Sequence, residues 1–549
     1  MNLDQKLLTT FDETSGVPGE LRSCINAHGL YNTLQFVLRL SPRIHNILSN
    51  TPAGIHSSSN LNFEQVQAFS TFLHETIHWW QHIGSTSGLL LSLSHPVQSH
   101  ANITHLRNFL KEVGPKKPII GIARSKKQDS LYSEETLRET NVIVNNFKDI
   151  SFYQIIATRP DLIRQNRIAD DPFFENIGHS YYITYANTLR MLTGQFDPNF
   201  KFLSDPRKWE PEFRKLRENK QEGFYYGSPI AIPPVGLWEV FEGQARFVQL
   251  QYLHFGSGGR FGWEDARDMG MLGTMYSKAF ETFLNLTDSE WPAEISSPLV
   301  GLFLAVCDMT INPGEGFPLP LTSPSTFITD NDPGMRFTFL FRMIALKAPH
   351  LKILVNEYSA DEYLEVTEQL SKRLLTPSPM AIAHSVVKWS EEQDAMISLM
   401  KEEEAFQFSP MDMPARLLLS RYIVFNCDKV RRPEFMCWPG AWMAGERVEA
   451  SGKEILDRNM ALFVDKEDDD GIFPAIVPGK KADAIQNTFD QFYTWIVNYG
   501  LISQWISSDG PFRYNFEWLS TAHNPNEIEE WAKAGFERTF GISPDKFQS

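Results

Sequence analysis

The chain has 549 residues, with 51 Lys and Arg against 67 Asp and Glu, for a formal net charge of −16. That balance speaks against nucleic acid as the main partner, because phosphate binding needs clustered cations, and the short basic spots at 116–117, 126–127, 431–432 and 480–481 read as solvated turns. A hydrophobic content of 42% with 13% aromatic residues excludes a disordered chain and supplies a large core.

Four cysteines (Cys24, Cys307, Cys427 and Cys437) form no C-x-x-C pair, which points to a reducing compartment. The first residues lack a basic segment followed by an apolar one, so no signal peptide is expected. The longest apolar run, 299–307, is far short of the roughly 20 residues needed to span a bilayer. A cytoplasmic protein with no membrane partner is the expectation.

In chain order, residues 33–40 suit a strand or a helix, and 57–60 read as a polar loop. Asn62 with Gln65 forms a capping-box pattern and Gly84 a natural stop, which predicts a helix over 63–84. Residues 84–88 read as a turn, 115–130 as a surface loop, and 133–157 and 175–194 as helices. Residues 200–222 are charged and peripheral, and 225–234 are extended and rich in proline. A buried helix follows from 236 to about 252, then helices over 264–286 and 295–310. Residues 312–335, dense in Pro, Gly, Ser and Thr, suggest a boundary that divides the chain into 1–320 and a helical region over 321–549. That region shows helical patterns over 336–347, 361–374, 379–406, 412–426, 446–464, 482–506 and 526–540. Residues 465–471 are acidic but fail the register of a calcium loop and read as a solvated turn. The fold class is mainly α.

The 63–84 helix carries His74-Glu75-Thr76-Ile77-His78, an H-E-x-x-H pattern. Residues four apart project from one face, so both imidazoles can close on one metal ion. Glu75 leans over the same site, placed to take a proton from a metal-bound water. Thr71 stands three residues ahead of the first histidine and Trp80 two after the second, with uncharged residues between. This resembles the extended signature of the zincin metallopeptidases. The resemblance implies Zn²⁺ as cofactor, Glu75 as general base, a small sheet laid over the motif helix, and hydrolysis of a protein or peptide substrate.

A catalytic zinc takes three protein ligands, so one more is required. The metzincin continuation fails, since Gln81 and Gly84 stand where Gly and His are needed. His82 lies about 12 Å along the axis from His74, too far to share an ion. No Asp or Glu occurs between Glu75 and Glu112, which excludes a near carboxylate. The best candidate is Glu242, in Glu242-Gly243-Gln244-Ala245, which resembles the E-G-x-A of the second ligand helix in gluzincins. Gly243 and Ala245 would let that helix approach the first closely. Glu239 is the main rival and His100 and His105 weaker ones. Glu239 could instead orient a ligand histidine, and Arg246 could hold either glutamate. The plain alternative is a charge cluster on a helix face, but so apolar a helix is buried, and buried carboxylates need partners.

The resemblance covers 62–84 and 236–252 and little else, and 163 residues separate His78 from Glu242. His179, Tyr181, Tyr182 and Arg246 are candidates to stabilise an oxyanion, although the 175–194 segment reads first as an ordinary amphipathic helix with aromatic packing. No G-x-S-x-G elbow, Walker A or dinucleotide-binding pattern is present. Cys24 with His28 is a weak pair, and Asp332 to Arg336 reads as a helix start. A competing reading is a binding or regulatory protein with a structural or degenerate zinc site. The intact Glu75 speaks against it, since a structural site needs no base. The 321–549 region carries no identifiable chemistry and suits substrate recognition or a regulatory protein partner.

Overall fold

Helices dominate because most segments carry their own start signals. Asn62 Oδ1 accepts from the Gln65 amide at 2.9 Å while Gln65 Oε1 accepts from the Asn62 amide at 3.0 Å. This closed capping box begins a helix over Phe63–Gly84, the motif helix. Ser133, Asn176, Asp332, Ser359, Ser378 and Asn524 cap later helices with their side chains in the same way. The structure, a computed structural model, describes residues 29–32, 35–51, 62–124 and 132–548. Cys24, His28, residues 57–60 and Lys126–Lys127 lie outside these. The class is mainly α, with one four-stranded sheet.

That sheet joins the two ends of the chain. Strands β1 (Gly29–Asn32) and β2 (Val37–Leu40) are antiparallel, β2 runs parallel to β3 (Phe463–Lys466), and β3 returns as β4 (Asp469–Pro474). The sequence reads 446–464 as helix and 465–471 as a solvated turn; the helix instead stops at Arg458 and a hairpin follows. The reason is long-range. Asp465 is buried, accepts from the Leu40 amide at 3.1 Å and pairs with His45 Nε2 at 2.7 Å, so it pins β3 beside β2. Strands β1 and β2 pack on the motif helix, with the Tyr31 ring 6.2 Å from Trp79 and 5.3 Å from His82.

Other departures are smaller. The 264–286 helix is two, Trp263–Asp268 and Thr274–Thr287, parted where Gly270 takes a φ of +70°. The 379–406 helix breaks at Gln393. The turn at 84–88 shrinks to Ser85, since the next helix already starts at Thr86. Within 115–130, Ile119–Ala123 is a short helix that buries Ile119, Ile120 and Ile122, and Lys117 is buried too, donating to the Gly510 carbonyl at 2.5 Å and lying over the Phe512 ring.

The hydrophobic core runs without interruption across residue 320, where composition suggests a division. The helix Met413–Arg431 packs directly on the motif helix, and Phe425 closes on Gly84, where an added Cβ would lie 2.3 Å from its ring. Among the described residues, no helix is long and apolar enough to cross a membrane.

Candidate metal centre

From Val66 to Gly84 every residue of the motif helix except Phe72 is buried. A helix so enclosed must find partners inside for its polar groups. Its main neighbour is the helix Leu237–Gly256, which runs antiparallel: Val66 meets Gly256, Ser70 meets Gln249, and Gln81 meets Phe241. This pairing sets Glu242 opposite His74 and His78.

The two Nε2 atoms are 3.2 Å apart. Glu242 Oε2 lies 3.4 Å from His78 Nε2 and 3.7 Å from His74 Nε2. Among the described residues these are the three side chains whose ligand atoms converge in this way, all within 4.8 Å of one another. Two ligand atoms about 2.0–2.1 Å from a tetrahedral zinc stand about 3.3 Å apart, so these separations fit three edges of a zinc tetrahedron. The donor set fits as well, two imidazole nitrogens and one carboxylate oxygen.

The two histidines differ in their electrostatics. Burial pushes His74 down to about 3, which keeps it in the neutral form that binds metals. Burial acts on His78 too, but the Glu242 carboxylate, joined by Glu75, outweighs it and raises the imidazole to about 9. Burial would raise Glu242, yet the two histidines hold its carboxyl well below the usual range.

Gln81, one turn beyond His78, binds both helices. Its Oε1 lies 2.9 Å from His78 Nδ1, and its Nε2 donates to the Phe241 carbonyl and to Gln244 Oε1, each at 2.9 Å. Arg246 is fully buried one turn beyond Glu242. It donates to Gln249 Oε1 at 2.5 Å and stacks over the Tyr276 ring with its guanidinium carbon 3.8 Å from the centroid. The Tyr276 ring is also 6.0 Å from His74. Burial raises the Tyr276 hydroxyl, with Arg246 opposing and the Glu242 and Glu75 charges adding to the rise. Glu75 is buried, and its charge acts on His78, Arg246 and Tyr276 alike.

Other expected site residues lie elsewhere. Glu239 neither orients a ligand histidine nor meets Arg246. It sits in the first helical turn, where Oε2 accepts from the Gly236 amide at 2.8 Å and Oε1 from Lys278 at 2.6 Å. Gly243 does not admit the motif helix; a Cβ there would meet Ala279, 3.1 Å away on the helix Thr274–Thr287. His179 and Tyr182 line a separate cavity of about 80 Å³ with Glu175, Glu210 and Arg217, and His179 pairs with Asp149 at 3.5 Å. Their helix packs on other helices, so neither side chain joins the cluster. Tyr181 is buried and donates to Asp332 at 2.6 Å. His100 pairs with Asp412 and His105 with Glu139. His82 is buried against Ser92. Asp332 caps the helix Pro333–Lys347 as its sequence reads, and Arg336 donates to the Asp330 and Met309 carbonyls.

Sequence reasoning missed Gln81, Gln244 and Tyr276. A glutamine at i+3 from a ligand histidine on an apolar helix was a usable signal; Tyr276 carries none. No family model, curated protein or solved structure matches this chain.

Proposed function

We propose that this chain is a zinc-dependent metallopeptidase that hydrolyses a peptide bond in an intracellular protein or peptide. The observation that supports this reading most is the convergence of His74, His78 and Glu242 from two helices, with the buried Glu75 beside them. Zinc held by these three would acidify a water and polarise a carbonyl. Glu75 takes the proton of the attacking water and later passes it to the leaving amine. Tyr276 stands beside the cluster, its ring 6.0 Å from His74, and its neutral hydroxyl serves as hydrogen-bond donor to the developing oxyanion. Arg246 supplies positive charge and stacks against the Tyr276 ring. Glu242 is the most open ligand, at 17% side-chain exposure, and Trp238, one turn earlier, is 42% exposed. Substrate approaches over that side.

Metal analysis with a peptide-library digest tests the reading. The purified protein is expected to carry about one zinc per chain, and the His74→Ala/His78→Ala double variant none. Full zinc occupancy in the double variant, or a zinc-loaded wild type that cleaves no peptide, overturns it.

A further inference from the structure

We infer that Gln81 is a positioning residue that selects the metal-binding tautomer of His78 and ties its helix to the one bearing Glu242. The inference rests on the proposed metal centre and concerns how that centre is held. A glutamine amide offers one acceptor oxygen and two donor hydrogens. Both hydrogens of Gln81 are engaged, because its Nε2 lies 2.9 Å from the Phe241 carbonyl oxygen and 2.9 Å from Gln244 Oε1. Turning the amide over would set its oxygen against the Phe241 carbonyl, acceptor against acceptor, in a buried place where that is costly. Gln81 Oε1 therefore faces His78 Nδ1, 2.9 Å away, and accepts its hydrogen. Neutral His78 with hydrogen on Nδ1 carries its lone pair on Nε2, the atom that faces His74 Nε2 and Glu242 Oε2.

His74 has no such device, since its Nδ1 is buried without a hydrogen-bond partner. Of the two imidazoles, only His78 has its tautomer set by a side chain. The same glutamine also grips the carbonyl of Phe241, the residue before Glu242. One side chain, itself 3% exposed, thus controls both the orientation of one ligand and the place of the helix carrying another.

The test uses the full chain, stripped of metal and titrated with Zn²⁺ against a chromophoric chelator. Gln81→Leu removes the acceptor and both donors. Gln81→Glu keeps an acceptor for His78 and loses the donors to Phe241 and Gln244. Gln81→Leu is expected to weaken zinc binding about 10- to 100-fold, the usual effect of losing an outer partner of a ligand, while Gln81→Glu recovers most of that loss. Nitrogen-15 spectra of labelled histidine in the zinc-loaded protein are expected to place the His78 hydrogen on Nδ1. A Leu variant that binds zinc as wild type does overturns the inference. So does a Glu variant weakened as much as the Leu variant, which reduces Gln81 to a clamp between helices. Should the Leu variant not fold, the wild-type spectrum still decides, and a hydrogen on His78 Nε2 refutes the assignment. A wild type that binds no zinc instead removes the metal centre itself, a result distinct from these.

Discussion

Two clusters of buried charge reach one small cavity by different routes: Asp308 and Asn312 line it directly, whereas the His74–His78–Glu242 cluster meets it only through Gln81 and Gln244. The Asp308 cluster is closed. Its carboxylate takes Lys429 Nζ at 2.6 and 2.8 Å, the Tyr363 hydroxyl at 2.6 Å and Asn312 Nδ2 at 3.1 Å. One cation meets one anion, and neutral donors meet the remaining lone pairs. In the His74–His78–Glu242 cluster the arrangement is reversed. Ligand atoms face one another, and the hydrogen on His78 points outward to Gln81. A closed cluster holds helices together and needs nothing more. A cluster whose ligand atoms converge suits a bound cation, which under the proposed function is zinc.

The largest expected effect falls on the open cluster. Glu75→Gln is expected to keep its zinc and lose about 10²- to 10⁴-fold in peptide cleavage, because a general base is removed while the ligands stay. Turnover with a fluorogenic peptide beside metal analysis checks this. Wild-type turnover would leave a binding protein as the better reading.

The closed cluster should answer in the opposite way. Lys429→Met strands the Asp308 carboxylate in the core and is expected to cost about 3–5 kcal/mol of stability in denaturant unfolding. Zinc affinity, measured where the variant is still folded, should not change. A fall in zinc affinity would mean that the two clusters are coupled through the cavity.

Two glutamates on one helix sharpen the contrast. Glu242→Gln should weaken zinc binding by more than the about 10- to 100-fold expected for an outer partner. Glu239→Gln should leave zinc binding alone and cost about 1 kcal/mol or less of stability, since it loses a cap and an ion pair whose lysine is 42% exposed. Equal effects of the two substitutions on zinc would refute the placement of Glu242.

A pH-dependent effect concerns a buried acid satisfied by neutral donors. Asp332 accepts from the Tyr181 hydroxyl at 2.6 Å and the Met335 amide at 2.9 Å, and burial raises it to about 6. In the unfolded chain an aspartate ionises near 3.9. Between about pH 4 and pH 6 the folded state therefore holds the extra proton, and stability falls as pH rises through that window. The fall is at most about 3 kcal/mol. Urea midpoints across that range should show this slope in the wild type and a flatter one in Asp332→Asn. An unchanged slope would assign the dependence to another group.

What the sequence determined alone was local. Asn62, Gln65 and Gly84 mark the ends of the motif helix within four residues of each terminus, and the i, i+4 spacing of His74 and His78 sets them on one face whatever surrounds them. The helical class follows from the same short-range signals. Distance along the chain defeated the rest. Phe463 to Lys466 is a strand held between β4 and the sequence-distant β2, and His179 and Tyr182 read as site residues although packing carries their helix to another cavity. Glu242 was nameable by elimination, but its approach to the histidines, across 163 intervening residues, is decided by how two buried helices pack. Gln81 and Tyr276 gain their partners only through that packing. A helix start depends on neighbours a turn away, whereas the meeting of side chains from different helices depends on how the whole core closes, and only the tertiary structure decides it.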